Sequence, residues 1–323
     1  MGEFEFIQNL LADLAGPEGL GLVDDAAIWS PPRGQDAVIT TDTIVEGVHF
    51  PVGRFDFELA QKLLRVSVSD LTAKGADPIG YFLSLCLPPW VRPTDLEAFV
   101  DGLGNDQAWY GMSLWGGDTV TTKKTCVLSA TIIGTVPKGK TVLRTGARAG
   151  ELLCVSGTIG DAYLGLQSVM KEPAFDNLQT KAWEQAYHVP NPPYSLRETI
   201  RKYASACADV SDGLLADAAH IAKASSVGID VFLGSVPVSL QTRAWLLAQP
   251  DIQKARLKLV TGGDDYQTLL SVPQHMLKKL QKAFKVDNID LTVIGKITEG
   301  SQIRCLDDLG REIEVVKAGY QHF

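Results

Sequence analysis

Apolar runs that stop at an acidic residue recur along this chain, and residues 38–50 (VITTDTIVEGVHF) carry the fullest example. Residues 38 and 39 predict a buried strand that leads into two hydroxyls and a carboxylate, Thr40, Thr41 and Asp42. Strand ends favour chemistry because a rigid element holds the loop residues still. Clustered oxygen donors suit Mg²⁺ better than a soft metal. The alternative for this stretch alone is a polar hairpin edge.

The hydrophobic periods of the first half predict a mixture of helices and strands. Asp56 is a good N-cap and Gly75 a good residue to follow a helix C-terminus, so both ends of one helix are marked. The predicted helices cover residues 1–15, about 56–75 and about 94–110, and the predicted strands cover 80–88, 113–119 and 126–136.

The helix at 56–75 carries an acid on its apolar face. Leu59, Leu63, Val66 and Asp70 fall at steps of four, three and four, which places them on one side of the helix. A carboxylate there costs free energy unless it is paired or bound to a metal. The alternative is that Asp70 caps a neighbouring loop.

The second half repeats the pattern. Both halves contain VSD and GGD, and residues 137–150 between them are rich in glycine and basic residues. We therefore expect two α/β domains, one at residues 1–137 and one at residues 138–323. Predicted elements of the second half are a strand, turn and helix at 152–162, a strand and helix at 207–222, a glycine-rich loop within 259–272, and late strands at 293–297 and 312–316.

Composition narrows the classes of protein. The chain has 323 residues, 45% of them hydrophobic, and a net charge of −8, which argues against nucleic acid or an anionic membrane as partner. No apolar run approaches the roughly 20 residues that span a bilayer. The acidic N-terminus does not resemble a signal peptide. Five scattered cysteines without CxxC spacing favour reduced thiols in the cytoplasm.

Seven acids end apolar runs or lie beside glycines, and this number exceeds what turn chemistry explains comfortably. If they converged, they would repel one another unless several divalent cations were present. That arrangement is typical of phosphoryl transfer, in which metal ions hold polyphosphate. No Walker loop, kinase loop or Ser/His/Asp triad is present to indicate another route. The seven are Asp25, Asp42, Asp70, Asp118, Asp209, Asp212 and Asp264.

These motifs together resemble the thiamine-monophosphate kinase family, which is similar in fold to aminoimidazole ribonucleotide synthetase. Each motif is short, but they follow in order from residue 2 to residue 323. The matching segments are GEFEFI at 2–7, DDAA at 24–27, TTDTIVEGVHF at 40–50, VSDLTAKGADP at 68–78, GGDT at 116–119, VLRTGA at 142–147, DVSDGL at 209–214, GGDDY at 262–266 and GYQHF at 319–323.

The resemblance implies a homodimer of two-domain α/β chains that phosphorylates thiamine monophosphate to thiamine diphosphate with ATP and several Mg²⁺ ions. It implies that the domain at 1–137 binds ATP and Mg²⁺ and that the domain at 138–323 completes the active-site cleft. It also implies the roles of individual residues, with Asp42 and Asp212 central to catalysis. The implied magnesium ligands are Asp25, Thr40, Thr41, Asp42, Asp70, Asp118, Asp209 and Asp212; the implied ATP contacts are Gly117, Asp118, Arg144 and Ser211; the implied substrate contacts are His49, Asp264 and Tyr320.

Three of these assignments have open alternatives. His49 could be an ordinary loop histidine, Tyr320 could cap the core, and Arg144 could lie in a surface linker. The other four histidines, among them His220 and His322, are assigned structural or surface roles.

The chain departs from the family pattern at three positions. Asp264 stands where the family usually has Glu, Tyr194 where it often has Arg, and Lys74 where it usually has an apolar residue. The first departure affects an expected substrate contact. Two other functions stay open: a synthetase of the same fold that activates an amide or selenide, and a non-catalytic relative that binds metal and nucleotide.

Overall fold

The computed structural model describes residues 2–170 and 180–320, so residues 321–323 of the closing motif, with His322, lie outside the described part. The chain divides into two compact units. Unit 1 is Met1–Leu71 with Ala76–Lys140, and unit 2 is Thr72–Gly75 with Thr141–Phe323. Both units combine helices with a sheet, which confirms the predicted α/β class.

Unit 1 is built on a four-stranded mixed sheet in the order β1-β4-β2-β3. β4 pairs antiparallel with β1 and β2, while β2 and β3 run parallel. Parallel neighbours need a crossover connection, and the helix at Pro93–Tyr110 lies between β2 and β3 in the sequence. The strands are β1 Gln35–Val45, β2 Asp77–Leu87, β3 Ser113–Thr121 and β4 Val127–Pro137, and the helices are α2 Phe57–Lys74, whose residues 72–74 belong to unit 2, and α3 Pro93–Tyr110.

The predicted ends of α2 are confirmed. The backbone N–H of Leu59 donates to Oδ1 of Asp56 at 2.9 Å, so Asp56 caps the helix. Gly75 follows the helix with φ +70°, a conformation that favours glycine because other residues place a Cβ against the backbone. Leu59 and Leu63 are buried, as the apolar stripe requires.

Three predictions for unit 1 are wrong. Thr40, Thr41 and Asp42 do not follow a strand but lie inside β1, which runs on to Val45. The start of β1 is not buried: Ile39 is 64% exposed, because β1 is an edge strand whose outward positions point away from the core. Residues 1–15 do not form one helix. They form short turns with three hydrogen-bonding patterns, α1 Glu3–Phe6, a π turn at Ile7–Leu11 and a 3₁₀ turn at Ala12–Leu14.

A glycine in β2 makes room for a tryptophan. A Cβ on Gly80 would lie 2.0 Å from the indole ring of Trp115, so the ring rests directly on the strand backbone. Trp115 also stacks at a tilt against Trp29, with ring centroids 5.5 Å apart, and meets Phe82 edge-on. These aromatic contacts hold one wall of a cavity in unit 1.

Unit 2 is built on a seven-stranded sheet in the order β11-β10-β7-β9-β5-β8-β6. The predicted strand at 312–316 is only partly right, since pairing stops at Ile313. The strands are β5 Leu152–Ser156, β6 Ala206–Asp209, β7 Gly228–Phe232, β8 Thr268–Val272, β9 Leu291–Thr298, β10 Ile303–Leu306 and β11 Glu312–Ile313.

The helices of unit 2 include one that follows β6 directly and packs in the core. This helix, α7 Leu214–Ser225, buries Leu214, Leu215, Ala218 and Ile221. No helix in the two described ranges is long and apolar enough to cross a membrane. The remaining helices are α4 Asp161–Val169, α5 Thr180–His188, α6 Arg197–Tyr203, α8 Leu240–Leu247, α9 Ile252–Thr261 and α10 Leu277–Val286.

Candidate active site

Two acids of unit 1 lie side by side, one from β1 and one from α2. Alternation along β1 puts Thr40 and Asp42 on the same face, toward α2. The Thr40 hydroxyl donates a short hydrogen bond to Oδ2 of Asp70, and the Ser67 hydroxyl donates to Oδ2 of Asp42 at 2.7 Å. The predicted ligands Thr40, Asp42 and Asp70 are therefore brought together.

The environment of this pair disfavours negative charge. Burial, followed by repulsion from Asp70, raises the pKa of Asp42 to about 6, although the hydrogen bond from Ser67 acts to lower it. A divalent cation between the carboxylates would reverse both penalties, because it would replace lost solvation and cancel the repulsion. The oxygen-only donors suit Mg²⁺.

Other residues of the opening motif have different surroundings. The side chain of Thr41 lies on the opposite face of β1, where its hydroxyl is 2.9 Å from that of Thr131. Glu46 is buried and accepts hydrogen bonds from the backbone N–H groups of Gly53 and Cys126, both at 2.7 Å, so it fixes the loop that carries His49. The Val45 N–H donates to Nδ1 of His49 at 3.1 Å, which leaves the ring proton on Nε2 when the histidine is neutral.

A cavity of about 360 Å³ in unit 1 collects a second set of predicted residues. Asp25, Gly117 and Asp118 line it together with Trp115 and Phe82. A Cβ on Gly117 would lie 2.1 Å from the carbonyl oxygen of Leu83, so the backbone there accepts only glycine without rearrangement. The cavity thus combines an aromatic wall, carboxylates and a stretch of backbone at Gly117 that no side chain covers.

In unit 2, three segments meet through backbone hydrogen bonds at the end of β6. The N–H groups of Asp264, Tyr266 and Tyr320 donate to the carbonyl oxygens of Ser211, Val210 and Asp212, at 2.9, 2.8 and 2.8 Å. The two residues before Asp264 are Gly262 and Gly263, and a Cβ on Gly263 would lie 2.3 Å from the carbonyl oxygen of Ser211. The absence of a side chain therefore lets this loop lie close to Ser211. The structure therefore places the predicted residues Asp209, Ser211, Asp212, Asp264 and Tyr320 in one region of unit 2.

Arg144 lies near this region but forms no salt bridge among the described pairs of unit 2. It is exposed, and its carbonyl oxygen accepts a hydrogen bond from the Ser225 hydroxyl at 2.9 Å. Its guanidinium lowers the pKa of Asp217, although burial and acidic neighbours dominate there. An exposed arginine beside acids has the chemistry of a phosphate contact.

Asp217 is a candidate site residue that was not predicted from the sequence. It lies in the first turn of α7, is 0% exposed, and accepts a 3.1 Å hydrogen bond on Oδ2 from the N–H of Ser211. Burial, followed by repulsion from Asp209 and Asp212, raises the pKa of Asp217 to about 8. The available signal was an acid inside the apolar helix pattern LLADAA, the same signal that marked Asp70.

The sequence patterns did not indicate Ser67 or Tyr266 either. Ser67 contacts Asp42, which is distant along the chain, and Tyr266 contacts Asp264 within a loop. Ser67 binds Asp42, and the Tyr266 hydroxyl donates to Oδ1 of Asp264 at 3.0 Å. Neither a serine on the buried face of a helix nor a tyrosine after the GGDD segment is part of a recognisable sequence pattern.

Two departures from the family pattern have local structural explanations. Lys74 donates to the carbonyl oxygen of Cys207 at 3.2 Å, so its amine is satisfied within unit 2. The ring of Tyr194 packs under the guanidinium of Arg197, 4.2 Å from the ring centroid.

Comparison with known proteins defines the class first. Models of the N-terminal and C-terminal domains of AIR synthase related proteins match residues 23–136 and 148–308. Solved structures of Escherichia coli HypE share the fold, with a TM-score of 0.79 at 18% identity over 99% of both chains. The two described units thus have the architecture of AIR synthase related proteins.

Closer relatives identify the family. The chain is 41% identical to the thiamine-monophosphate kinase of Caulobacter vibrioides over 99% of this chain and 90% of that protein, and 33% identical to that of Escherichia coli over 94% and 92%. A crystal structure of the enzyme from Stenotrophomonas maltophilia gives a TM-score of 0.84 at 33% identity, covering 97% of this chain and 98% of that one. The chain belongs to the thiamine-monophosphate kinase family, and the resemblance stated from its motifs is confirmed.

A related structure contains ligands. AaThiL complexed with AMPPCP and TMP is 30% identical, with a TM-score of 0.79, over 100% of this chain and 97% of that chain.

Proposed function

We propose that this chain transfers the γ-phosphate of ATP to thiamine monophosphate and forms thiamine diphosphate. The observation that carries the proposal is the near full-length similarity to thiamine-monophosphate kinases, including the AaThiL structure complexed with AMPPCP and TMP. The pair of acids Asp42 and Asp70 and the cavity of unit 1 supply matching chemistry.

The reaction is a direct in-line attack by a terminal phosphate oxygen of thiamine monophosphate on the γ-phosphorus of ATP. A phosphate monoester has a second pKa of about 6, so the attacking oxygen is largely ionised at neutral pH. No strong general base is required, and positioning with charge neutralisation accounts for the rate. The proposal is consistent with a site rich in carboxylates and poor in candidate bases.

Several residues are assigned to Mg²⁺. When bound, Mg²⁺ supplies charge neutralisation for the phosphates. Asp42 supports this assignment best, because its buried carboxylate lies beside Asp70 and gains from a cation. Thr41 is assigned through its backbone only, since its hydroxyl is on the other face of β1. The full set of proposed ligands is Asp25, Thr40, Thr41, Asp42, Asp70, Asp118, Asp209 and Asp212.

The organic ligands are assigned to the remaining residues. Gly117 and Asp118 line the cavity with the aromatic wall and are assigned to ATP, together with Arg144 and Ser211. His49, Asp264 and Tyr320 are assigned to thiamine monophosphate; Tyr320 is 47% exposed, and the Lys317 amine lies 6.0 Å from the centre of its ring.

The experiment follows products by phosphorus NMR after incubation with ATP, Mg²⁺ and thiamine monophosphate. Thiamine diphosphate and ADP should appear in equal amounts. Release of free phosphate without thiamine diphosphate would favour a synthetase of the same fold. No conversion of ATP under any of these conditions would favour a non-catalytic relative.

We also infer a cytoplasmic homodimer. The five cysteines, all described, are free, as expected in a reducing compartment. The outward face of β1 exposes Ile39, and the unpaired edge of this strand favours association with a second copy. Light scattering after size exclusion should give twice the chain mass of 34.9 kDa, and Ile39→Asp should shift the mass toward the monomer.

A further inference from the structure

We propose that Asp212, Asp217 and His220 form a divalent-cation site with an imidazole ligand, suited to a first-row transition metal such as Mn²⁺. The site shares Asp212 with the magnesium ligands proposed above. It adds two residues that no motif assigned, and its existence does not depend on phosphoryl transfer.

The three side chains converge because of helix geometry and a fixed loop. Asp217 and His220 are three residues apart on α7, so they lie on one face of the helix. Asp212 lies just before α7, and its carbonyl oxygen accepts the hydrogen bond from Tyr320 N–H that ties down the loop. One ligand atom from each of the three lies within 4.8 Å of the other two.

These separations are close to those around a bound ion. Metal–ligand distances of about 2.0–2.2 Å put two ligand atoms of one ion at most about 4.4 Å apart. The pair His220 Nε2 and Asp212 Oδ2 is already at 3.9 Å, so small rotations of two half-exposed side chains complete the site. His220 and Asp212 are each 46% exposed, which leaves an entry path from solvent.

The buried oxygen of Asp217 points to a cation. Asp217 is fully buried, and its Oδ1 has no hydrogen-bond partner among the described residues. An unsatisfied buried carboxylate oxygen costs free energy that a bound cation would recover. Asp209 adds further negative charge nearby, and Arg144 offsets only part of it. The remaining carboxylate oxygen already holds Ser211 N–H, so it orients the group.

A simple ion pair between protonated His220 and Asp212 explains less. A 3.9 Å contact between two half-exposed groups is a weak surface pair, and it gives no partner to Asp217. One imidazole with two carboxylates instead matches a first-row transition ion, because the carboxylates suit Mn²⁺ and the imidazole suits ions such as Zn²⁺ better than it suits Mg²⁺.

The test uses the full-length protein, stripped of metal and free of nucleotide, titrated with Mn²⁺ and followed by electron paramagnetic resonance. Spin-echo modulation from one directly bound nitrogen is expected in the wild type. His220→Gln should remove the nitrogen modulation and weaken Mn²⁺ binding at least about tenfold, the scale for loss of a metal-site interaction. His275→Gln is the matched control, because His275 is an exposed histidine on a separate turn.

Asp217→Asn provides an independent measurement, since its amide oxygen can still accept from Ser211 N–H while the charge is lost. It should weaken Mn²⁺ binding by a similar factor. No bound Mn²⁺ in the wild type, or nitrogen modulation that persists in His220→Gln, would overturn the proposal. Neither result would affect the phosphorus NMR test of kinase activity, so failure of the two ideas can be told apart.

Discussion

The hydroxyl of Tyr266 donates a 3.0 Å hydrogen bond to Oδ1 of Asp264, and both residues have positive φ, +49° and +69°. Neither is glycine, so the loop holds two residues in a conformation that costs roughly 1–2 kcal/mol each. The backbone hydrogen bonds to Val210 and Ser211 hold the loop in this form. The loop therefore holds the Asp264 carboxylate in one orientation.

We predict that Tyr266→Phe weakens the binding of thiamine monophosphate. Without the hydroxyl, the Asp264 carboxylate loses one of the contacts that orient it, and a hydrogen bond to a charged group is worth about 1.5–3 kcal/mol. The Michaelis constant for thiamine monophosphate should rise about tenfold or more, while that for ATP changes little. Tyr203→Phe is the control, since Tyr203 contacts Lys202 and has no proposed ligand role. Equal increases in both constants would contradict the assignment.

Two substitutions of Asp264 separate the effect of its negative charge from the effect of its side-chain length. Asp264→Asn removes the charge, and Asp264→Glu keeps the charge but lengthens the side chain. Asn keeps the tolerance for positive φ but loses the charge, so thiamine monophosphate should bind about 10–100-fold more weakly, with ATP affinity nearly unchanged. Glu restores the residue that the family usually has and should stay active. It should lower the melting temperature slightly, because Asp tolerates φ +69° better than Glu does. If the ATP constant rises in Asp264→Asn and the other constant does not, Asp264 belongs to the metal site.

Asp42→Asn should abolish turnover and stabilise the metal-free protein at neutral pH. Turnover should fall at least about 100-fold, the scale for removal of one electrostatic stabiliser. Asp212→Asn should do the same. The folded-state pKa of Asp42 is raised from 3.8 to about 6, so its contribution to stability is present below pH 3.8 and is lost as the pH rises through 6. The difference corresponds to at most about 3 kcal/mol at pH 7.

The measurement for Asp42 is a set of thermal melts in EDTA. The variant should melt above the wild type at pH 7–8, and this advantage should shrink toward pH 4. Saturating Mg²⁺ should stabilise the wild type more than the variant. A variant that melts far below the wild type and retains activity would refute the metal assignment.

Mg²⁺ and nucleotide should stabilise the protein together far more than separately. The cavity of unit 1 carries Asp24, Asp25 and Asp118, which repel bare ATP, while the phosphates of ATP add ligands for the metal. Ligand at 100 times its dissociation constant adds about 2.7 kcal/mol to the free energy of unfolding. Calorimetry with a non-hydrolysable ATP analogue, with and without Mg²⁺, measures the coupling. Equal affinities in the two titrations would show that the acids do not act through a metal.

The predictions from the sequence were most accurate where a pattern was compatible with only one local structure. Asp56 and Gly75 marked the ends of α2 because capping chemistry is local. Asp70 was singled out because an acid interrupts an apolar stripe. Ile39 was misjudged because an apolar residue on an edge strand has the same pattern as one in the core, and only the strand order distinguishes them.

Residues that act through a neighbour could not be found from sequence. Ser67 reaches Asp42 from a position 25 residues away, and Tyr266 acquires its role only when a loop turns twice through positive φ. Asp217 was marked locally by an acid inside the apolar pattern LLADAA, but its contact with Ser211 also depends on the fold. Tertiary contacts, and not local preference, give these residues their roles.

The placement of Trp115 on Gly80 also gives unit 1 an optical reporter. Its indole ring forms part of the cavity wall and is 5.5 Å from the ring of Trp29. Tryptophan emission depends on the polarity around the indole and on quenching by adjacent groups. A molecule entering the cavity would change both for this pair of rings, so its arrival can be followed in the native protein without an attached dye.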